Sequence, residues 1–336
     1  MRALTISAHG GLERLELRED VPMPAPGPGE VRVRVLASSL NHLDLFVLRG
    51  IPGVTITPAW VMGADAVGIV DGTDDLVVVN PGISDGTCEY CRRGEQSLCV
   101  RFRLLGEHLP GTIADYIVVP ERNVARIPRD TPIQQAAAFT LSTLTAWRML
   151  VTRAQLRPNE NVLIQGIGGG VALAALQIAK HVGARVWVTS SSDEKLARAR
   201  ELGADETINY RTADVAREIR ARTAKRGVDV IVDSVGEATW ASSLGALGKF
   251  GRLVTCGATS GPMVTTDARR LFWNQWTILG STMGNEDEFA AVTNELREGR
   301  LFPPIDSVFD ITQGREAFER LESGGQFGKI VVRVSA

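Results

Sequence analysis

The chain reads as an α/β protein: a doubly wound parallel sheet joined to a β-rich domain. Three observations predict this. The 336 residues exceed one ordinary core and suggest two domains. From Asn161 onward, short apolar strands alternate with helices, the pattern of a parallel sheet buried on both faces. Before about Pro128 the chain instead alternates apolar and polar residues in short runs broken by Pro- and Gly-dense loops.

The composition is that of a globular chain, with 44% hydrophobic and 23% charged residues. A net charge of -2 gives no electrostatic footprint for nucleic acid or an anionic membrane. No apolar run is long enough to cross a bilayer, and the start "MRALTISAHGGLERLEL" lacks the order of a signal peptide. We therefore expect a cytoplasmic protein with reduced thiols, a small-molecule substrate, and neither nucleic acid nor membrane as partner.

In order along the chain, "VPMPAPGPGE" is a loop and "EVRVRVLASSL" a half-buried strand; "VMGADAVGIV" and "DDLVVVNPG" are further strands. A helix is expected to open at Thr131 as N-cap, with Pro132 at its first position and Gln134 completing a capping box. "NVLIQG" is then a strand, "GGVALAALQIAKHVG" a helix closed by Gly183, "ARVWVTS" a strand, and "DEKLARARELG" a helix closed by Gly203. "VDVIVDSVG" and "GRLVTCG" add strands. The tail ends in the strand "GKIVVRVSA", expected to return to the first domain. The expected division is 1–142, 143–280 and 281–336, with a cysteine lobe at 83–100.

"NVLIQGIGGGVALAALQIAK" places a Gly-rich turn between a strand and a helix. Gly166, Gly169 and Ala172 fall in a G-x-x-G-x-x-A register, and Gly168, Gly170 and Val171 complete the turn. Such a turn brings backbone close to a pyrophosphate seated on the helix N-terminus, so a dinucleotide is expected here. The place at the end of the second strand that carries an acid in NAD sites holds Ser190. With Ser191 and Lys195 beside it, the site suits a 2′-phosphate, which selects NADPH; the serines equally suit a helix cap. Tyr210 is placed for the same phosphate. Gly257 should let backbone approach the nicotinamide, and Cys256 beside it reads as inert core.

Cys88, Cys91 and Cys99 are separated by two and seven residues, and Asp85 precedes Cys88 by a further gap of two. With this spacing, together with "NHLD", "GADAVG", the Gly-rich turn and the terminal "FGKIVVRV", the chain resembles the medium-chain dehydrogenase/reductase superfamily along essentially its whole length. The resemblance implies a GroES-like β-barrel catalytic domain split around a Rossmann domain, with a cleft between them. It also implies a lobe for one structural zinc ion, in which four cysteines are usual and Asp85 here replaces the first. A carboxylate is an acceptable zinc ligand, and a closed four-ligand site has a structural role. The alternative is a lobe that has lost its metal.

Zinc alcohol dehydrogenases of this superfamily hold a second, catalytic zinc. Their ligand places correspond here to Asn41, Ala64-Asp65 and roughly Leu141, of which only Asp65 keeps a carboxylate. The pattern is similar to the zinc-independent quinone oxidoreductase and enoyl reductase branch, which also has Asn at the Asn41 place and Asp at the Asp44 place. That resemblance implies hydride transfer from NADPH to a quinone or activated C=C bond, with hydrogen-bond donors for the enolate. The candidate catalytic residues are Asn41 and Thr145 as donors, His42 as an acid, Asp44, and Asp65 as the group that orients Asn41 or His42. Plainer readings stand beside these: local packing for His42, helix-start bonding for Asp44 and Thr145, a barrel turn for Asp65. An alcohol or aldehyde dehydrogenase and a non-catalytic NADPH-binding sensor remain open. The segment "WTILGSTMG" resembles the strand through which superfamily members pair, so a homodimer or homotetramer is expected.

Overall fold

The computed structural model describes residues 1–335 and divides into two compact units, residues 1–144 with 283–336, and residues 145–282. Among the described residues no helix is long and apolar enough to cross a membrane.

The first unit is the GroES-like part. Its largest sheet runs in the order Val124–Arg126, Leu76–Val79, Asp65–Val70, Glu30–Ser39, Lys329–Arg333, Ile305–Asp310, with Tyr116–Pro120 also paired to Glu30–Ser39. The long strand Glu30–Ser39 therefore has three partners. Asp65 faces Ser39 in one antiparallel register and Val331 faces Ser39 in another. The C-terminal strand does return to this unit, as the sequence suggests. Inward-facing Val33, Val35, Val77, Val79, Ile330 and Val332 meet Phe318 and Leu321 of the helix Gly314–Glu322 in one apolar core. The alternation read from the sequence is the alternation that fills this core. Gly82–Ile83 and Arg103–Leu104 pair at the base of the cysteine lobe.

The second unit is a Rossmann-type sheet of six parallel strands: Glu206–Asn209, Arg185–Ser190, Asn161–Ile164, Val228–Asp233, Leu247–Thr255, Thr277–Gly280. The order reverses beside Asn161–Ile164, so the carboxyl end of that strand is the topological switch point where open α/β sheets bind ligands. The Gly-rich turn sits there. The following helix spans Gly170–Val182 and ends on Gly183 in the left-handed conformation, φ 87°.

Two local expectations need correction. The helix expected from Thr131 runs Ile133–Ala137, with Pro132 extended at the N-cap (ψ 120°) and no side-chain cap, so Thr131 lies outside it. After the helix Thr140–Trp147, residues Arg148–Arg153 continue as a π-helix, which no periodicity in the sequence announces.

Candidate active site, cofactor turn and metal lobe

Three strand ends place the polar cluster of the first unit. Asn41 follows Glu30–Ser39 and precedes the helix His42–Arg49; Asp65 opens Asp65–Val70; Lys329 opens Lys329–Arg333. Because both partners pair with the end of Glu30–Ser39, side chains far apart in sequence meet. Asp65 is fully buried and accepts four hydrogen bonds. Its Oδ2 takes Ser39 Oγ at 3.0 Å, Asn41 Nδ2 at 2.9 Å and Lys329 Nζ at 3.1 Å, and its Oδ1 takes the Leu141 N–H at 2.7 Å. Lys329, 3% exposed, also donates to Asn41 Oδ1 at 2.5 Å. A buried ammonium is held only where it is paired, and here both partners are in place.

Asp65 thus holds the Asn41 carboxamide by a hydrogen bond. Asp44 does different work. Its Oδ2 accepts the Asn41 N–H at 2.7 Å and its Oδ1 the Gly63 N–H at 3.1 Å, tying the helix start to the segment before Asp65. Burial pushes its carboxyl up to about 7, against the opposing pull of those N–H groups and of Lys329. His42, the first helical residue, packs edge-on against Phe46 at 4.8 Å, and burial lowers its pKa. Thr145 is buried on the helix Thr140–Trp147.

The donor set around Asp65 does not fit a catalytic zinc. A carboxamide, an ammonium, and apolar Ala64 and Leu141 stand where thiolate or imidazole would be needed, and the ammonium already neutralises the one carboxylate.

The cofactor turn of the second unit does fit a pyrophosphate. Gly166 has φ 68°, a conformation that a residue with Cβ adopts at a cost, and a Cβ built on Gly169 would meet nothing within 4 Å. The open face of Gly169 lies directly before the N-terminus of Gly170–Val182, whose first N–H groups, from Gly170 and Val171, have no intrahelical partner. A chain of hydrogen bonds fixes the turn from below. The Gly166 N–H donates to Thr189 Oγ1 (3.0 Å), Thr189 Oγ1 to Gln165 Oε1 (2.7 Å), Gln165 Nε2 to Ser243 Oγ (3.0 Å), and Ser243 Oγ to Asp233 Oδ2 (2.8 Å). Sequence reasoning missed this relay, since its members are small polar residues scattered over three strands and a helix.

A cavity of about 850 Å³ opens beside the turn, lined among others by Gly166, Tyr210, Arg211, Thr212, Val235 and Thr239. Tyr210 lines this cavity, and Arg211 beside it is a cation the sequence reading passed over. Ser190 is less available than expected. It is buried, and its Oγ accepts the Ser192 N–H at 3.2 Å, while Ser192 caps the next helix by accepting the Lys195 N–H. Neither Ser190, Ser191, Lys195 nor Gly257 lines this cavity; Gly168 is at φ 133° in the turn itself, and Gly257 follows the strand Leu247–Thr255. Burial pushes the Cys256 thiol up to about 12.

In the lobe, Asp85, Cys88, Cys91 and Cys99 bring four ligand atoms within 4.8 Å of one another. Cys99 Sγ accepts two backbone N–H groups, from Asp85 and Arg101, each at 3.3 Å. Asp85 Oδ1 accepts the N–H groups of Thr87 and Cys88, which hold its carboxyl well below the usual range and fix it as an anion. Four donors of these types at this spacing could hold a tetrahedral metal ion.

Residues 27–129 match the family model described as the alcohol dehydrogenase GroES-like domain, and residues 170–298 match that of the zinc-binding dehydrogenase. Among curated proteins, the "NAD-dependent alcohol dehydrogenase" of Sulfolobus acidocaldarius is 33% identical, with 100% of each chain covered. The human "Quinone oxidoreductase" is 25% identical over 99% of this chain and 97% of that one. A crystal structure of an "NAD-dependent alcohol dehydrogenase" superposes with a TM-score of 0.94 at 42% identity, again over 100% of both chains. The chain belongs to the medium-chain dehydrogenase/reductase superfamily, and it is an oxidoreductase of that superfamily.

Proposed function

We propose that the protein is an NADPH-dependent reductase that delivers hydride to a quinone or an activated C=C bond, and that it does so without a catalytic zinc. The donor set around Asp65 carries this reading: an ammonium and a carboxamide in place of metal ligands. The nicotinamide cofactor, when bound, supplies the hydride. The acceptor oxygen then takes up negative charge and finally a proton, so that NADPH and one proton reduce the acceptor by two electrons. Asn41 is the donor for that oxygen, and Asp65 orients Asn41. Arg211, Tyr210 and Lys195 are the groups that would recognise a 2′-phosphate. The lobe holds one structural zinc. The strand Thr277–Gly280 ends the six-stranded sheet with an unpaired edge and an exposed Ile278, which supports pairing of two copies as a homodimer or within a homotetramer. We place the protein in the cytoplasm.

A second reading, NAD-dependent alcohol or aldehyde dehydrogenase, has two supports. One is the naming of the relatives above. The other is Asp193, a carboxylate at the same helix start, held by Asn209 Nδ2 at 2.7 Å. The test is NADPH and NADH oxidation by the purified protein against a quinone, an enone, an enoyl-CoA and an aldehyde. Turnover of quinone or activated alkene with NADPH preferred, and that preference reduced roughly tenfold in Arg211→Ala, is the expected outcome, being the loss of one charge-assisted hydrogen bond. Turnover of the aldehyde alone, with NADH, overturns the proposal.

A further inference from the structure

We infer that Lys329 is the fixed cation of the site: it positions the Asn41 carboxamide and sets the site's preference for an acceptor whose oxygen becomes anionic, an enolate or a quinol anion. The inference rests on the reading of hydride transfer given above and gives Lys329 a role in the reaction that the reading leaves unassigned.

The geometry is as follows. Asn41 Oδ1 is bound by the ammonium at 2.5 Å and Asn41 Nδ2 by the Asp65 carboxylate at 2.9 Å, so the two ends of the amide are distinguished by opposite charges and the amide cannot turn over. One Nδ2 hydrogen is used by Asp65. Among the described residues the other has no protein acceptor, and neither has the third hydrogen of the Lys329 ammonium. The cluster thus keeps two donors in reserve. Lys329 reaches this place because Gly328 precedes it at φ 122°, where a Cβ would lie 2.6 Å from the Pro304 carbonyl oxygen. The Lys329 N–H bonds that same carbonyl at 2.8 Å, which fixes the start of the strand. The ammonium is 3% exposed, so water does little to screen it, and a fixed charge in such surroundings acts on developing negative charge without reorganising. Asp65 and Lys329 neutralise each other in the resting site. An oxygen gaining charge next to Asn41 therefore has available the uncommitted Nδ2 hydrogen of an amide whose Oδ1 is pinned to the cation and whose other Nδ2 hydrogen is held by Asp65.

The test uses the full-length protein with Lys329→Met and Lys329→Arg. With the acceptor that the wild type reduces best, Lys329→Met is expected to lower kcat by about 10²-fold, the usual effect of losing one oxyanion-stabilising group, with KM for the acceptor and the Kd of NADPH within about threefold of wild type. Lys329→Arg, which restores charge and donors, should recover about a tenfold share of the loss. Should Lys329→Met fail to fold, Asp65→Asn with Lys329→Met leaves no unpaired buried charge, and the same fall in kcat is expected there. A second readout needs no turnover. In the presence of NADP⁺, 4-nitrophenolate, an anionic mimic of the enolate, should bind wild type at least about tenfold tighter than Lys329→Met, as the loss of a charge-assisted hydrogen bond implies, and neutral 4-nitroanisole should bind both alike. Equal binding of the phenolate overturns the inference, as does a variant with kcat within threefold of wild type, or a loss spread over kcat, NADPH affinity and melting temperature that arginine does not rescue. If no acceptor is turned over while the phenolate still discriminates the variants, the reductase reading fails and the role of Lys329 stands.

Discussion

Asp65 and Asp233 are both fully buried, one in each unit, and they are satisfied in opposite ways. Asp233 is held by neutral donors alone: the N–H groups of Val235 (2.9 Å) and Gly236 (3.0 Å) and the hydroxyls of Thr239 and Ser243 (both 2.8 Å). Asp65 has a backbone N–H, a hydroxyl and an amide, and in addition an ammonium. Hydroxyls rotate and can exchange donor and acceptor roles; an ammonium can only donate. The Asp233 knot is therefore a repairable brace beneath the Gly-rich turn. The Asp65 cluster is polarised, with every member's role fixed by charge, which suits a place where charge must appear during a reaction.

The same substitution at both places separates these descriptions and has the largest expected effect. Asp65→Asn sets an NH₂ group against either the ammonium or the Leu141 N–H, whichever way the amide lies, and strands a buried cation. Loss of one partner of a buried pair typically costs about 3–5 kcal/mol. Asp233→Asn can keep its carbonyl on the Val235 and Gly236 N–H groups and donate to hydroxyls that rotate, for a cost of about 1 kcal/mol. Urea unfolding of the two variants measures both. Equal costs would remove the distinction between brace and polarised cluster.

The contrast also explains what was legible in the sequence. The parallel sheet and its Gly-rich turn show themselves through local periodicity, because each strand is buried on both faces. Asn41, Asp44 and Asp65 were identifiable from short segments, though only contacts reveal that Asp44 braces two backbone segments. Lys329 was invisible: it lies 264 residues from Asp65 and resembles any lysine at a strand start. The available signal was indirect, a carboxylate in the apolar strand "GADAVGIV" with no cation nearby in sequence. Ser190 is less legible for the converse reason. Its place at the end of Arg185–Ser190 was read correctly, but the tight turn that follows takes its hydroxyl for the Ser192 N–H.

The lobe extends the comparison to a third aspartate, one that is anionic and held by backbone. If Asp85 is a working ligand, replacing it with the stronger thiolate should tighten the site and removing a thiolate should loosen it. In competition with a chromogenic chelator, Asp85→Cys should release zinc roughly tenfold more slowly than wild type and Cys99→Ser roughly tenfold faster, while the Asp65 cluster variants leave the release unchanged. A protein that purifies with no zinc and is indifferent to both substitutions has a lobe that is only a loop.

The polarised cluster's neighbour offers a pH-dependent test. Asp44 keeps its proton to about pH 7 in the folded chain because of burial, whereas the unfolded chain releases it near pH 4, the ordinary value for an aspartate. Over that interval the folded state binds more protons than the unfolded one, so this group's contribution to stability is full at low pH and is lost as pH rises toward and through 7. Asp44→Asn cannot titrate. The difference in unfolding free energy between wild type and Asp44→Asn should therefore shift steadily against wild type from pH 5 to 7 and level off above it. Lys329 is one of the groups holding the Asp44 carboxyl down, so in Lys329→Met the decline should continue to higher pH than in wild type. A decline that ends at the same pH with and without the ammonium would mean that the two groups do not sense each other, and that the Asp65 cluster is electrically closed on itself.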